Sequence, residues 1–81
     1  MSAATSLARF WENLAAMVAK QRECQGITQA QLGARAGVHR VTVCNLERGK
    51  VRDLGIAKVH SILSCLDIQL SIAPVTKKPR K

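Results

Sequence analysis

A run of residues from 37 to 50, "GVHRVTVCNLERGK", holds the side chains best suited to chemistry in this chain. Arg40 can present two donors to guanine O6 and N7, Asn45 can bond an adenine edge, and Val41 can pack on a thymine methyl. These groups share one face only if the run is helical. The residues predicted to contact bases are Arg40, Val41, Thr42 and Asn45, with Cys44 beside them.

The secondary structure of this run therefore decides what it can do. Val41, Thr42 and Val43 are all β-branched, which on propensity alone favours a strand. Leu46 falls three residues after Val43, however, and Gly49 stands where a helix would stop. Packing overrides the weak helix propensity of Val and Thr, which costs only some tenths of a kcal/mol per residue. The sequence thus predicts a helix over about 40–48, with Leu32, Ala36, Val38, Val43 and Leu46 facing inward.

The preceding helix has the clearest start signal in the chain. Thr28 and Gln31 form a T-x-x-Q capping box, and Ile27 and Leu32 stand where a hydrophobic staple requires apolar residues. A second helix is therefore predicted over 28–36, followed by a turn at Gly37-Val38. Gly33 lacks a side chain, which allows the next helix to approach it closely.

Gly and Pro residues divide the rest of the chain into further elements. A first helix is predicted over 6–25, with apolar residues at helical spacing, and Gly26 ends it. A last helix is predicted over about 55–66, with Asp53 as a plausible N-cap, and "IQLSI" alternates as a strand does. We expect one domain over 6–73 and a disordered basic tail over 74–81, which is either a phosphate-contacting arm or a solvated end. The apolar positions are Leu7, Trp11, Leu14 and Val18 in the first helix and Ile56, Val59, Ile62, Leu63 and Leu66 in the last.

The charge balance indicates an anionic partner. The formal net charge is +8 and the pI is about 10.3, values typical of nucleic-acid binding. From 28 to 52 there are five cations and one acid, Glu47. Amide groups at the start of the second helix and cations in the following loop suit phosphates. The residues predicted to contact phosphates are Thr28, Gln29, His39, Arg48, Lys50 and Arg52.

Several function classes are not expected. No carboxylate pair, nucleophile–base set or phosphate loop can be assembled, so an enzyme and a cofactor are not predicted. The three cysteines lack metal-ligand or disulfide spacing, which favours reduced thiols in a cytoplasm. Neither a signal peptide nor a membrane-spanning run is readable. Cys24 and Cys65 are predicted to be packing residues, and Cys44 is either a redox sensor or a tolerated small side chain. Phe10 and Trp11 are interpreted as core or dimer contacts.

The motif "TQAQLGARAGVHRVTVCNLERGK", over 28–50, resembles the helix-turn-helix of lambda-type phage repressors and Cro proteins, the XRE family. The resemblance implies an all-α, lambda-repressor-like bundle of four to five helices whose second motif helix enters the major groove of DNA. It also implies an ion pair between Arg22 and Glu47, which could otherwise be two unrelated surface charges. One departure stands out: His39 occupies the N-cap where the family has Ser or Thr, so the cap is either lost or replaced by a phosphate contact.

Two further stretches, "LAAMVAKQRECQGITQ" and "SILSCLDIQLSI", resemble HipB-type antitoxins. That resemblance implies a bacterial, nucleoid-associated autorepressor, a homodimer on a palindromic operator, and a HipA-like kinase toxin as partner. A lone strand also needs a second chain to pair with, so dimerisation is assigned to Ile68, Leu70 and Ile72. The alternatives are a free-standing phage or host regulator without a toxin, and a protein-binding module on the same fold.

Overall fold

The computed structural model describes residues 3–51 and 54–70, with side chains described from residue 7. Within those residues the chain is all-helical and contains no strand. Helix α2 packs against both α3 and α4, and α1 packs against α3. The four helices are α1 (Ala3–Cys24), α2 (Gln29–Ala36), α3 (Arg40–Glu47) and α4 (Ile56–Cys65).

Helix α1 is longer than predicted at its N-terminus and buries only its central turns. Trp11, Leu14 and Val18 lie in the core, as their spacing predicts, whereas Leu7 is 53% exposed. The prediction for Leu7 is wrong because the core reaches only the turns from Trp11 to Val18. Gly26 ends the helix with a φ of +69°, a conformation that glycine adopts at little cost.

The helix–turn–helix unit, α2 and α3 with the turn between them, follows its local signals closely. The Thr28 hydroxyl accepts from the Gln31 N–H at 3.0 Å, and the Gln31 side chain accepts from the Thr28 N–H at 2.8 Å. The predicted capping box is therefore confirmed. Gly37 stops α2 in the left-handed region, with a φ of +75°. The residues 40–47 are helical, so the β-branched run of α3 is not a strand.

Gly33 explains how closely the start of α3 packs against α2. A Cβ at this position would lie 2.8 Å from the Val38 carbonyl oxygen and 3.3 Å from the Arg40 nitrogen. Both neighbours are backbone atoms, which cannot rotate away as a side chain can. The absent side chain thus sets the distance between the middle of α2 and the start of α3.

Helix α4 agrees with its predicted bounds to within one residue but has a different cap. Its N-cap is Gly55, which makes no side-chain cap bond, so the assignment of the cap to Asp53 is wrong; Asp53 itself lies outside the described residues. Ile56, in the first turn, is 67% exposed. Its spacing predicts a place on the apolar face, but the buried face of α4 begins one turn later.

One apolar core joins all four helices. Among the described residues no polar or charged residue is buried as a whole. The partly buried residues around the core include Ile27 and Leu70, and also Ala36 and Val38, which with the buried Leu32, Val43 and Leu46 form the inward face predicted for the helix–turn–helix unit. The buried core consists of Trp11, Leu14, Val18, Leu32, Val43, Leu46, Val59, Ile62, Leu63 and Leu66.

The chain after α4 carries the segment predicted as a strand. Asp67 has a φ of +59°, and the Ile68 N–H returns to the Leu63 carbonyl at 2.9 Å, which closes the helix. Residues 68–70 are not in a strand, while Ile72 and the tail 74–81 lie outside the described residues. Within the part of the single chain that the structure describes, no second strand is present to pair with this segment.

Candidate nucleic-acid interface

Helix α3 presents one face to the core and the opposite face outward. Val43 and Leu46 are fully or almost fully buried, at 0% and 1% exposure. Val41 and Arg48 are exposed, and Asn45, between them on the same face, is half-buried. Positions separated by three and four residues are neighbours on a helix surface, so these side chains form one outward surface. Arg40 is exposed at its N-terminal end, and Thr42 and Cys44 are half-buried at its sides.

The N-terminus of α3 is capped by an imidazole. The Val41 N–H donates to Nδ1 of His39 at 3.2 Å, while His39 takes the extended backbone conformation of an N-cap. The expectation that this cap is lost is therefore wrong. Ranked by residue type, histidine is a weak cap, yet its Nδ1 lies as far from the backbone as the oxygen of an Asn side chain. This equal distance could have predicted the cap, but a ranking of caps by residue type does not take it into account.

The C-terminus of α3 is held by a bidentate ion pair with α1. Arg22 Nε donates to Glu47 Oε2 at 2.7 Å, and an Arg22 terminal nitrogen donates to Glu47 Oε1 at 3.0 Å. The two side chains are only 14% and 6% exposed. The hydrogen bond to Glu47 raises the pKa of Arg22 above its ordinary value, against the opposing effect of burial. Arg22 is therefore charged at any physiological pH, as an ion pair that fixes one end of α3 requires.

Two further hydrogen bonds turn this pair into a four-part brace, made of Arg22, Ile27, Gln29 and Glu47. Arg22 also donates to the Ile27 carbonyl at 2.9 Å, and the Gln29 amide donates to Glu47 Oε1 at 3.0 Å. The sequence predicts a phosphate contact for Gln29 and does not predict its hydrogen bond to Glu47. The brace joins the end of α1, the start of α2 and the end of α3. A carboxylate that already has one bidentate partner still has lone pairs that can accept further hydrogen bonds. This remaining capacity of Glu47 is the feature from which the Gln29 contact could have been predicted.

The brace also affects the charge of the surface around α3. Glu47 is the one acid between 28 and 52, and its carboxylate is almost completely buried against Arg22. The cations around α3 are exposed: Arg35, Arg40, Arg48 and Lys50. The α3 surface therefore combines hydrogen-bonding and apolar groups with a positive rim whose cations form no ion pair with an acid among the described residues. Such an arrangement attracts a polyanion.

The turn that ends α3 fixes the backbone position of the next cation, Lys50. Gly49 takes a φ of +74°, and the Lys50 N–H returns to the Asn45 carbonyl at 2.9 Å. This turn brings the backbone of Lys50 back to the last turn of α3, and the Lys50 residue is exposed. Arg52, the other loop cation predicted to contact a phosphate, lies outside the described residues.

Other chemistry finds no support in the described residues. No group of three or more His, Cys, Asp or Glu residues in residues 3–51 and 54–70 could hold a metal ion. The cysteines are free thiols; Cys44 and Cys65 are half-buried, but Cys24 is exposed, so its assignment as a packing residue is wrong. Among the same residues, no helix is long and apolar enough to cross a membrane.

Comparison with known proteins agrees with this geometry. A search of curated proteins finds no match. A family model described as a helix-turn-helix domain matches residues 3–73, which is most of the chain and includes all four helices. A three-residue turn between α2 and α3, with the outward face of α3 free, is the geometry of such a domain. The chain belongs to the helix-turn-helix domain family and is a DNA-binding protein of that type.

Proposed function

We propose that the protein is a sequence-specific transcriptional repressor that inserts α3 into the major groove of a two-fold operator as a homodimer. The single observation that carries the proposal is the outward surface of α3. This surface carries side chains that can contact bases, and exposed cations surround them. The one acid between residues 28 and 52, Glu47, is paired with Arg22. Helix α3 is therefore called the recognition helix.

The base contacts belong to the N-terminal half of the recognition helix and its outward face. Arg40, at the first position of α3, is exposed and free to present both donors to one guanine. Val41 is 47% exposed and offers an apolar surface to a thymine methyl. Asn45 lies one turn further along the same face, within reach of an adenine edge, and Thr42 flanks the first turn.

The phosphate contacts belong to the two helix starts and the loop after α3. The capping box occupies the N–H groups of Thr28 and Gln31, so the N–H groups of Gln29 and Ala30 are those left for a phosphate oxygen. The Gln29 side chain has one further N–H beyond its bond to Glu47. On the other side, His39, Arg48, Lys50 and Arg52 supply the remaining contacts. These groups would position the recognition helix without reading sequence.

The proposed dimer uses the segment 68–72. Ile68 and Leu70 line an apolar groove together with Phe10, Leu14 and Met17 of α1. Phe10 and Met17 are 41% and 50% exposed, so this apolar surface continues onto α1. Among the described residues, the backbone N–H groups of Gln69 and Leu70 have no backbone partner.

An apolar groove beside an unpaired backbone suits pairing with the same segment of a second copy, antiparallel across a two-fold axis. Ile68, Leu70 and Ile72 would then share one face. The same axis would set the two recognition helices about one DNA turn, roughly 34 Å, apart.

An antitoxin role is the narrower proposal. It is supported by the likeness of the stretches before α2 and after α4 to HipB-type proteins, and its partner would be a HipA-like kinase toxin. A free-standing regulator would have the same DNA surface and no toxin. Co-expression with the product of the adjacent open reading frame, followed by purification on a tag, separates the two: a stable complex supports the antitoxin role.

The experiment for the DNA-binding proposal is a gel shift against fragments of the source genome. We expect one or a few fragments to shift at concentrations at least tenfold below the rest. Equal affinity for all fragments would contradict sequence-specific repression, and no shift at all would favour a protein-binding module. The Arg40→Ala and Asn45→Ala variants, tested on the selected fragment, assign the contact to α3.

A further inference from the structure

We propose that His39 is a positioning residue that holds the first turn of α3 through its unprotonated Nδ1, so that the start of this helix responds to pH. The supporting contact is the hydrogen bond from the Val41 N–H to Nδ1, at 3.2 Å. His39 is exposed, and its ring is therefore accessible to protons from the solvent. For DNA affinity, though not for stability, the proposal rests on the function proposed for α3.

The chemistry of imidazole makes this cap conditional. A neutral ring has one acceptor nitrogen, and a protonated ring has none. Because Nδ1 accepts here, the neutral ring must carry its proton on Nε2. Protonation would turn Nδ1 into a donor, remove the acceptor from the Val41 N–H, and add positive charge at the end of a helix where the dipole is already positive. A Ser or Thr cap would suffer none of these effects.

Among the described residues, no carboxylate lies within ion-pair distance of the His39 ring. The sequence contains no Asp or Glu between Glu23 and Glu47. Glu47 is at the opposite end of α3, about 12 Å away along the helix axis, and it is paired with Arg22. The charged and titratable groups carried by α3 and by the two helices packed against it, α1 and α2, are Arg9, Glu12, Lys20, Arg22, Glu23, Cys24, Arg35, Arg40, Cys44 and Glu47.

The sign of the pH effect depends on which form of the ring caps the helix. The neutral form makes the cap, so its contribution to stability is present while the ring is neutral and is lost when a fall in pH protonates the ring. Loss of a good cap lowers the melting temperature of a domain this size by about 4–8 °C. For an imidazole cap we expect a shift near the lower end of that range.

The test compares the melting temperatures of four proteins from pH 8 to pH 5, without DNA. His39→Ser caps at every pH and His39→Ala at none, so the difference between these two should be constant. The wild type should unfold at a clearly higher temperature than His39→Ala at pH 8 and approach His39→Ala at pH 5. His60→Ala, which removes the other histidine, should keep the wild-type behaviour. A wild-type profile parallel to that of His39→Ser, or a His39→Ala variant as stable as the wild type at pH 8, would overturn the proposal.

A second measurement links the cap to the DNA surface. At pH 8 on the selected operator fragment, His39→Ala should bind several-fold more weakly with an unchanged salt dependence, because a neutral group has been removed. His39→Ser restores the cap but not the phosphate contact proposed for the ring, so it should recover part of the affinity that His39→Ala loses. If the melting profiles behave as stated but none of the proteins distinguishes one DNA fragment from another, the proposed repressor function is contradicted and the proposed cap is supported. If the wild type prefers certain DNA fragments but His39→Ala leaves stability and DNA affinity unchanged, the proposed cap is contradicted and the proposed repressor function is supported.

Discussion

The helix–turn–helix unit and the segment after α4 differ in how completely one chain specifies them. In the first, Thr28 and Gln31 cap α2, Gly37 stops it, and the brace on Glu47 fixes α3. In the second, Leu70 lines an open apolar groove and the neighbouring backbone N–H groups have no partner among the described residues. The α3 surface is thus assembled within a single chain, whereas the C-terminal surface would be completed only in the proposed dimer.

The largest effect should come from breaking the brace. Glu47→Ala leaves the Arg22 guanidinium buried without its partner, and breaking a buried pair typically costs about 3–5 kcal/mol. Because Arg22 retains some exposure, we expect a loss of about 3 kcal/mol in the free energy of unfolding, measured by urea denaturation. A double-mutant cycle with Arg22→Ala should show strong coupling. Additive losses in that cycle would mean that the unit is not held by this pair.

A smaller loss should follow from filling the space at Gly33. In Gly33→Ala the new Cβ meets the backbone carbonyl of Val38 at 2.8 Å, and overpacking of this kind costs about 1–3 kcal/mol. Gly55→Ala is the matched control, because a Cβ there meets nothing within 4 Å. We expect thermal unfolding of Gly33→Ala at a clearly lower temperature and little change for the control. Equal melting temperatures for both would show that α2 and α3 do not depend on this close approach.

The dimer prediction concerns the second region alone. Leu70→Asp puts a charge into the apolar groove, whereas Ala57→Asp puts the same charge on an exposed position of α4 that does not line the groove. We expect Leu70→Asp to sediment as a monomer with its helical content retained, and Ala57→Asp to remain a dimer. Operator affinity should fall with dimerisation. A Leu70→Asp variant that still sediments as a dimer would move the interface to another surface, with the exposed part of α1 around Phe10 as the next candidate.

The smallest effect should be that of a single phosphate contact. Lys50→Ala should weaken binding to all DNA sequences alike and reduce the slope of log affinity against log salt by about one. Thermal stability should be unchanged because Lys50 is exposed. Binding measured between about 50 and 200 mM salt checks this slope, and a loss confined to one DNA sequence would assign Lys50 to base contact instead.

The parts that sequence predicts well are those decided by neighbouring residues. The capping box and the stop at Gly37 are local, and the inward positions Val43 and Leu46 follow from helical spacing. The extent of burial is not local: Leu7 and Ile56 have the right spacing, yet the core does not reach them. The Gln29 contact and the His39 cap depend on side-chain geometry across 18 and 2 residues, which residue type alone does not convey. The strand prediction requires a second chain and so remains a prediction.

The most direct measurement of the central claim is the affinity of the Arg40→Ala, Asn45→Ala double variant for the selected operator at fixed salt. Each lost base contact should cost about 1–3 kcal/mol, so affinity should fall at least tenfold and selectivity over random DNA should fall with it. Arg9→Ala removes the same charge from an exposed position on α1 and should change affinity less than about twofold. If the double variant binds and selects the operator as the wild type does, α3 does not read DNA.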